Sequence, residues 1–245
     1  MAPTPVAVVK EINLYPVKSM AGHSTNAAHL GWHGFDGDRK YAFVQDGNLS
    51  HFPWLTARQV PEMLHYAPYF VDQDQPHKSA IWVKAPDGAE LPLESPELVQ
   101  QLLAHSAKKI DGIHLLHLAI GMFDDLPISL ISTATLSGLS ADVGFSVGSE
   151  RFRPNLVVEP LDAIDRIEDH WIGKTICFGS TENGPQVAMS LRDVRCVMVN
   201  YDRQTLKQTP ELLREIAQNR QSCAGVYGSI FKPGLIRAGD PVFLV

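Results

Sequence analysis

Apolar residues come in short runs bounded by glycine, proline, aspartate and asparagine, a pattern of strands rather than of long helices. Residues 6–15 open β-branched and stop at Pro16, which predicts a strand running into a turn, with Lys18 and Ser19 at its end. Gly31-Trp-His-Gly-Phe-Asp-Gly-Asp38 is dense in turn formers, and an apolar strand resumes over residues 39–45. Residues 81–85 and 90–93, joined through Pro86-Asp87-Gly88, predict a hairpin. In the second half, strands are predicted over residues 156–159, 175–178, 187–191, 194–200 and 241–245. A turn, a short strand and another turn are expected across 234–240.

Helices are fewer. Ser95-Pro96-Glu97 supplies a cap, a first-turn proline and an acid suited to the helix dipole, ahead of Leu98, Leu102 and Leu103. Thr209-Pro210-Glu211 repeats the signal before Leu212, Leu213 and Ile216. A short helix is expected over residues 134–139, capped by Ser132 or Thr133, and its unpaired N–H groups suit an anion. The fold class is therefore mainly β (α+β) with a few short helices. Residues 112–126 carry the weakest pattern, and a domain boundary is placed there, dividing the chain into 1–115 and 116–245.

Composition narrows the function classes. At 245 residues, 44% hydrophobic and 20% charged, the chain has the balance of a folded soluble protein. A net charge of −6 without a basic stripe argues against nucleic-acid binding, so an anionic partner must be met by locally placed cations. Three cysteines, at 177, 196 and 223, make neither a disulfide framework nor a C-x-x-C zinc site, and a reducing, cytoplasmic compartment fits them better. Met1-Ala-Pro-Thr-Pro lacks the features of a secretion signal, and no apolar run reaches the roughly 20 residues that span a bilayer, so no membrane partner is expected.

The candidate chemistry sits in two segments. Arg151-Phe-Arg-Pro-Asn155 brings two guanidinium groups and an amide beside a proline; if extended, it points Arg151 and Arg153 to one face. Arg192-Asp-Val-Arg-Cys196 holds one thiol near two arginines, the setting of a nucleophile or a soft-metal ligand. Cys177 and Cys223 read as core. Arg39 has Asp36 and Asp38 as potential surface partners, an interaction worth about 0–1 kcal/mol. His114 and His117 have helical i, i+3 spacing but lack a third ligand, and Asp124-Asp125 before Leu-Pro is ordinary turn chemistry; all are read as structural. Asp202 and Asp240 are weaker candidates, Asp202 because it follows Cys196.

Tyr15-Pro-Val-Lys-Ser19, Gly37-Asp-Arg39 and Leu55-Thr-Ala-Arg-Gln-Val-Pro61 resemble the N-terminal β-barrel part of MOSC proteins. Leu126-Pro-Ile-Ser-Leu-Ile-Ser132, Arg151-Phe-Arg-Pro-Asn155, Arg195-Cys196, Gly225-Val-Tyr-Gly228 and Gly239-Asp240 resemble the MOSC domain itself. The resemblance implies a MOSC β-barrel domain packed on an N-terminal β-barrel-like domain, with a molybdenum–pterin cofactor between them. It is similar to the amidoxime-reducing branch, whose members reduce N-hydroxylated compounds. It makes Cys196 the molybdenum ligand and the catalytic thiolate; Asp202, expected on the substrate side of Cys196, is set beside it as a further catalytic candidate from its place in the sequence. It makes Lys18, Ser19 and Arg39 holders of the pterin phosphate, and Ser132, Thr133, Arg151, Arg153 and Asn155 the other side of the pocket.

After Arg-Cys the family usually continues with a threonine-rich Thr-Val-Asp segment, whereas this chain reads Val-Met-Val-Asn-Tyr-Asp202. It also lacks the cysteine spacing of the ferredoxin domain that some bacterial relatives append, so a separate electron-donor protein is expected beside a small-molecule substrate. The expected activity is molybdenum-dependent reduction of an N-hydroxylated or N-oxide compound. The alternatives are a carrier of the cofactor, or of sulfur on Cys196, and a metal-free protein holding another phosphate-bearing ligand in the same groove.

Overall fold

The structure is a computed structural model that describes residues 4–73, 75–106 and 110–245; the Met1-Ala-Pro start read for a targeting signal lies outside them. The first half contains β1 (Ala7–Leu14), β2 (His23–Thr25), β3 (Ala27–Gly31), β4 (Gly34–Phe35), β5 (Tyr41–Gln45), β6 (Ala67–Phe70), β7 (Ile81–Lys84), β8 (Glu90–Pro92), α1 (Pro96–Ala104) and β9 (Ile113–His117). The second contains β10 (Ile128–Ser132), α2 (Thr133–Val143), β11 (Leu156–Pro160), β12 (Thr175–Phe178), β13 (Gln186–Val194), α3 (Pro210–Asn219), β14 (Cys223–Lys232), β15 (Gly234–Arg237) and β16 (Pro241–Leu244). The class is mainly β, as the residue pattern implies.

Seven strands close into a barrel in the order β11-β10-β14-β13-β12-β16-β1, with β1 pairing back onto β11. Only β10 and β11 run parallel. Closure removes the open sheet edges that would otherwise invite pairing with other chains. Its closing strand, β1, comes from the far end of the chain, so the proposed division at 115/116 is crossed by a barrel strand. Inside, Val9, Ile12, Leu130, Val158, Phe178 and Val226 are buried, with Trp171 of the short helix Ile167–Trp171 joining them.

Two further cores flank the barrel. Helices α2 and α3 lay Leu139, Leu212 and Ile216 on Ile131, Val157 and Ala224 of its outer face. Strand β10 is thus covered on both sides, which explains a run in which every residue is buried. The second core gathers Val17, Phe43, Leu55, Met63, Leu98 and Leu102 around β5–β9, the β6–β7–β8 sheet and α1, and it includes Tyr201 from the second half.

The caps obey local chemistry in two helices of three. Ser95 accepts from the Leu98 N–H at 3.2 Å, and Ser132 accepts from the Thr135 N–H at 3.0 Å. Thr209 makes no cap; Asn200 Oδ1 instead accepts from the Leu213 N–H at 3.0 Å. The strand expected over residues 194–200 does not form. β13 ends at Val194, and Val197–Asn200 coil into one turn of 3-10 helix. Residues 113–117, in the weakly patterned stretch, are strand β9, so His114 and His117 do not share a helical face. His114 Nδ1 sits 2.6 Å from Asp46, and His117 stacks on Tyr41.

Gly225 on β14 has φ +80, and a Cβ there would lie 2.6 Å from the Leu130 carbonyl oxygen. Gly47 has a similar φ, +74, but open space around it. In urea unfolding, Gly225→Ala is expected to lose about 2–4 kcal/mol and Gly47→Ala only about 1 kcal/mol. Equal losses would show that the close approach to Leu130 is unimportant.

Candidate functional site

Asp38 organises the ground on which the site is built. Its side chain is wholly buried and accepts from the Tyr15 N–H at 2.7 Å, from Asn155 Nδ2 at 3.0 Å and from the Arg39 guanidinium. The Arg39–Asp38 pair is thus a buried ion pair rather than the surface one that the sequence allowed. Asn155 is equally committed: its Oδ1 accepts from Arg39 and the Ser129 N–H, and its Nδ2 also donates to the Asn13 carbonyl. This web ties the end of β1, the loop before β5 and the loop before β11 into one wall.

A cleft of about 270 Å³ opens beside that wall, lined also by Ser129, Asp193 and Tyr227 of the barrel strands and by Phe52, Thr56 and Arg58 of the loop after β5. Lys18, Ser19, Arg39, Arg151, Arg153, Asn155 and Cys196 all line it, so the structure gathers seven of the candidate residues in one cleft. Ser19, Arg39 and Arg153 have φ of 66°, 50° and 53°, a left-handed conformation that non-glycine residues rarely hold. Arg151 ends a short 3-10 helix, so the 151–155 segment is not extended; the turn, rather than strand alternation, brings both arginines to the cleft. Such backbone conformations persist where surrounding contacts overdetermine them, and they concentrate at functional sites.

The lining carries six cationic side chains, Lys18, Arg39, Arg58, Arg151, Arg153 and Arg195, against three carboxylates, Asp124, Asp125 and Asp193. Four of the cations are paired internally. Lys18 Nζ meets Asp124 at 2.6 Å, Arg39 meets Asp38, Arg151 meets Asp202 at 3.0 Å and Arg195 meets Asp193 at 2.7 Å. Arg153 and Arg58 have no carboxylate partner among the described residues. Arg153 donates to the Met20 carbonyl at 2.6 Å and lies 4.3 Å from the Tyr15 ring centroid, which Arg39 approaches at 4.7 Å. Burial pulls the Arg153 guanidinium down to about 10, and Arg39 beside it pushes the same way. Burial likewise lowers Lys18, with Asp124 opposing, and raises the Tyr15 phenol to about 12. An uncompensated buried cation is costly unless an anion joins it, so this cleft suits an oxyanion.

Cys196 is exposed and stands at the start of the Val197–Asn200 turn, on the cleft side of the barrel mouth. The arginines near it in sequence do not crowd it. Arg192 turns away to Asp169, Gln221 and the Arg220 carbonyl. Arg195 is drawn inward, donating to the Ala224 carbonyl at 2.7 Å and the Phe152 carbonyl at 2.9 Å. Cys177 and Cys223 are buried.

Arg151 acts as a latch. Its Nη1 donates to the carbonyl of Val199, to that of Asn200, which Thr209 also bonds, and to Thr209 Oγ1; its Nη2 holds Asp202. Asp202 also accepts from the Thr205 N–H and hydroxyl and from the Gln204 N–H, and these bonds, led by Thr205, hold its carboxyl below the usual range. It is not among the cleft-lining residues. Nor are Ser132 and Thr133: Ser132 is buried as the cap of α2, and its N–H is taken by the buried Glu168 carboxylate at 3.1 Å. Burial raises that Glu168 carboxyl, and bonds from Ser132 oppose the shift. Asp240 accepts from the Arg237 N–H, in a turn remote from these groups.

Several lining residues escaped the sequence reading. Arg58, exposed and 5.3 Å from the Phe52 ring centroid, stands in the Leu55–Pro61 stretch quoted above, so the motif itself was the available signal. Asp124 and Asp125 looked like turn residues, yet both line the cleft. Ser129, Asp193 and Tyr227 sit on three different strands, β10, β13 and β14, and only the pairing of β14 with both of the others brings them together.

Comparison with known families fits this architecture. The MOSC N-terminal beta barrel domain model matches residues 6–118, and the MOSC domain model matches residues 117–243. The chain belongs to the MOSC domain family. Human mitochondrial amidoxime-reducing component 1 is 29% identical over 139 residues, 51% of this chain and 39% of that protein. Rat mitochondrial amidoxime reducing component 2 is 33% identical over 133 residues, 49% of this chain and 37% of that protein. The chain thus spans about two fifths of these relatives' length. The crystal structure of the YuaD protein from Bacillus subtilis shares the fold, with a TM-score of 0.51 at 12% identity, covering 97% of this chain and 94% of that one.

Arg151→Ala removes the latch, leaves the Val199 carbonyl without its donor and takes one of several donors from the Asn200 carbonyl. It is expected to lower stability by about 2–4 kcal/mol in denaturant unfolding. Arg153→Ala, which relieves an unpaired cation, is expected to cost less than half of that. The reverse order would mean that Arg153, not Arg151, is the structural arginine.

Proposed function

We propose that the cleft binds a molybdenum–pterin cofactor and that the chain is a reductase of small N-hydroxylated or N-oxide compounds. The observation that carries this reading is the meeting of an exposed Cys196 thiol and two carboxylate-free arginines in one cation-rich cleft of a MOSC chain. The residues fit such a group. A phosphate would be met by Lys18, Ser19, Arg58 and Arg153 through charge-assisted bonds, with Arg39 and Asn155 holding that wall in shape. Cys196 would offer one soft donor. No set of three His, Cys, Asp or Glu side chains gathers to hold a metal among the described residues, so a metal here would bring most of its own ligands.

When bound, the cofactor would supply the two-electron chemistry. The chain's own part is binding, orientation and electrostatics. Tyr15 and the Asp38 web hold Arg39 and Arg153 before any ligand arrives, which lowers the ordering cost of binding. Phe52, Phe123 and Met198 give the cleft apolar surface for an organic substrate. Electrons would come from a separate donor protein, and a cytoplasmic setting is part of the proposal. No helix among the described residues is long and apolar enough to cross a membrane. The names of the mammalian relatives support the substrate class, at the modest identity and coverage given above.

A carrier that holds the cofactor, or sulfur on Cys196, without turnover is the second reading. It is favoured by Asp202, which Arg151 and Thr205 occupy away from the cleft, leaving Cys196 without that acid.

Protein purified from a cofactor-competent host is expected to carry about one molybdenum per chain, as read by elemental analysis. Cys196→Ala and Arg153→Ala should each lower that occupancy severalfold; wild type without molybdenum would sink both readings. Given loaded protein and a chemical reductant, the reductase reading expects conversion of a benzamidoxime-type substrate to the amidine. Loaded protein with no turnover would leave the carrier reading.

A further inference from the structure

Asp193 stands at a slip in the β13–β14 register: Arg192 pairs with Val226 and Val194 with Cys223, leaving an irregularity between them. Bulges of this kind re-aim side chains. Here the carboxyl is turned inward, with the residue 1% exposed, on the lining of the cleft. It accepts from the Ser129 hydroxyl at 2.9 Å and lies 2.7 Å from Arg195 Nη2. Because the remaining Arg195 nitrogens donate to neutral carbonyls, Asp193 is the counter-charge of that guanidinium.

The other groups that face Asp193 come from every neighbouring element. Tyr227 is the cross-strand partner of Ser129 on β14, and its phenol is raised by burial and then by Asp193. The Cys223 thiol feels Asp193 as well. From the opposite wall, Asp124 and Arg39 act on Asp193 in opposite senses, so charge is felt across the cleft. Burial raises the Asp193 carboxyl to about 6, and Arg195 opposes the rise.

We propose that Asp193 sets the charge, and hence the anion selectivity, of this cleft. Ionised, it cancels Arg195; protonated, it leaves Arg195 as an additional cation and favours a doubly charged oxyanion. The proposal rests on the reading of the cleft as an oxyanion site, not on the presence of molybdenum.

Sulfate, a dianion at every pH used, is the probe. The full chain is made in a host unable to supply the pterin cofactor, and binding is followed by calorimetry from pH 5 to 8 at fixed ionic strength. No histidine lines the cleft to add its own titration. Wild type is expected to lose roughly three- to tenfold in sulfate affinity as the pH rises through the Asp193 range, the effect of one added charge in a partly screened site. Asp193→Asn should bind with nearly constant affinity throughout. Ser129→Ala, which removes a bond to the ionised form, should move the wild-type midpoint upward. A flat wild-type profile, an unchanged slope in Asp193→Asn, or a midpoint unmoved by Ser129→Ala overturns the proposal. Absence of sulfate binding at every pH removes the oxyanion reading along with it, which separates the two failures.

Discussion

The buried Asp38 carboxylate is the constraint on which this site depends. A charge with no exposure requires full pairing, and Asp38 obtains it from a backbone N–H, an amide and a guanidinium drawn from three separate segments. Because Arg39 supplies the counter-charge and Tyr15 and Asn155 supply the remaining bonds, the end of β1, the turn before β5 and the loop before β11 are fixed together. Asn155 continues the same logic with four bonds of its own. The left-handed backbone at Arg39 and Arg153 persists within this web, since Arg39 bonds the Arg153 carbonyl directly.

That rigidity gives the cleft its electrostatic character. Internal pairing quiets Lys18, Arg39, Arg151 and Arg195, yet it leaves Arg153 and Arg58 without a carboxylate. Stacking on Tyr15 supports Arg153, while burial and the neighbouring Arg39 lower its proton affinity. A site that holds unspent positive charge on a fixed wall is prepared for an anion before the anion comes. The same pairing scheme keeps Asp202 off the cleft lining and makes it, with Arg151, a clasp between the Cys196 turn and α3.

Much of the fold was legible because its signals are local. Alternation, turn residues and serine caps located most strands and the starts of α1 and α2. The departures have physical reasons too. Residues 194–200 look β-rich, but Arg151 captures the Val199 and Asn200 carbonyls and rewards a helical turn instead. The α3 cap falls to Asn200 because Arg151 already occupies Thr209. Strand β14 carries Gly225 and Gly228, which weaken any strand signal although the strand lies at the centre of the barrel wall.

The sequence by itself determined the β-rich class, the family motifs and the residue types that meet an oxyanion, because each is written in neighbouring positions. Only the tertiary structure decided which of those residues share a cleft and which are consumed in holding it. Of the two caps that the sequence offered for α2 it chose Ser132; it gave Asp202 to Arg151, and it placed Asp193, unmarked in the sequence, on the cleft lining beside Arg195. The reason is that a charged side chain's role follows from its partners, and several of these lie far away in the chain, as Arg151 does from Asp202 and Ser129 from Asp193.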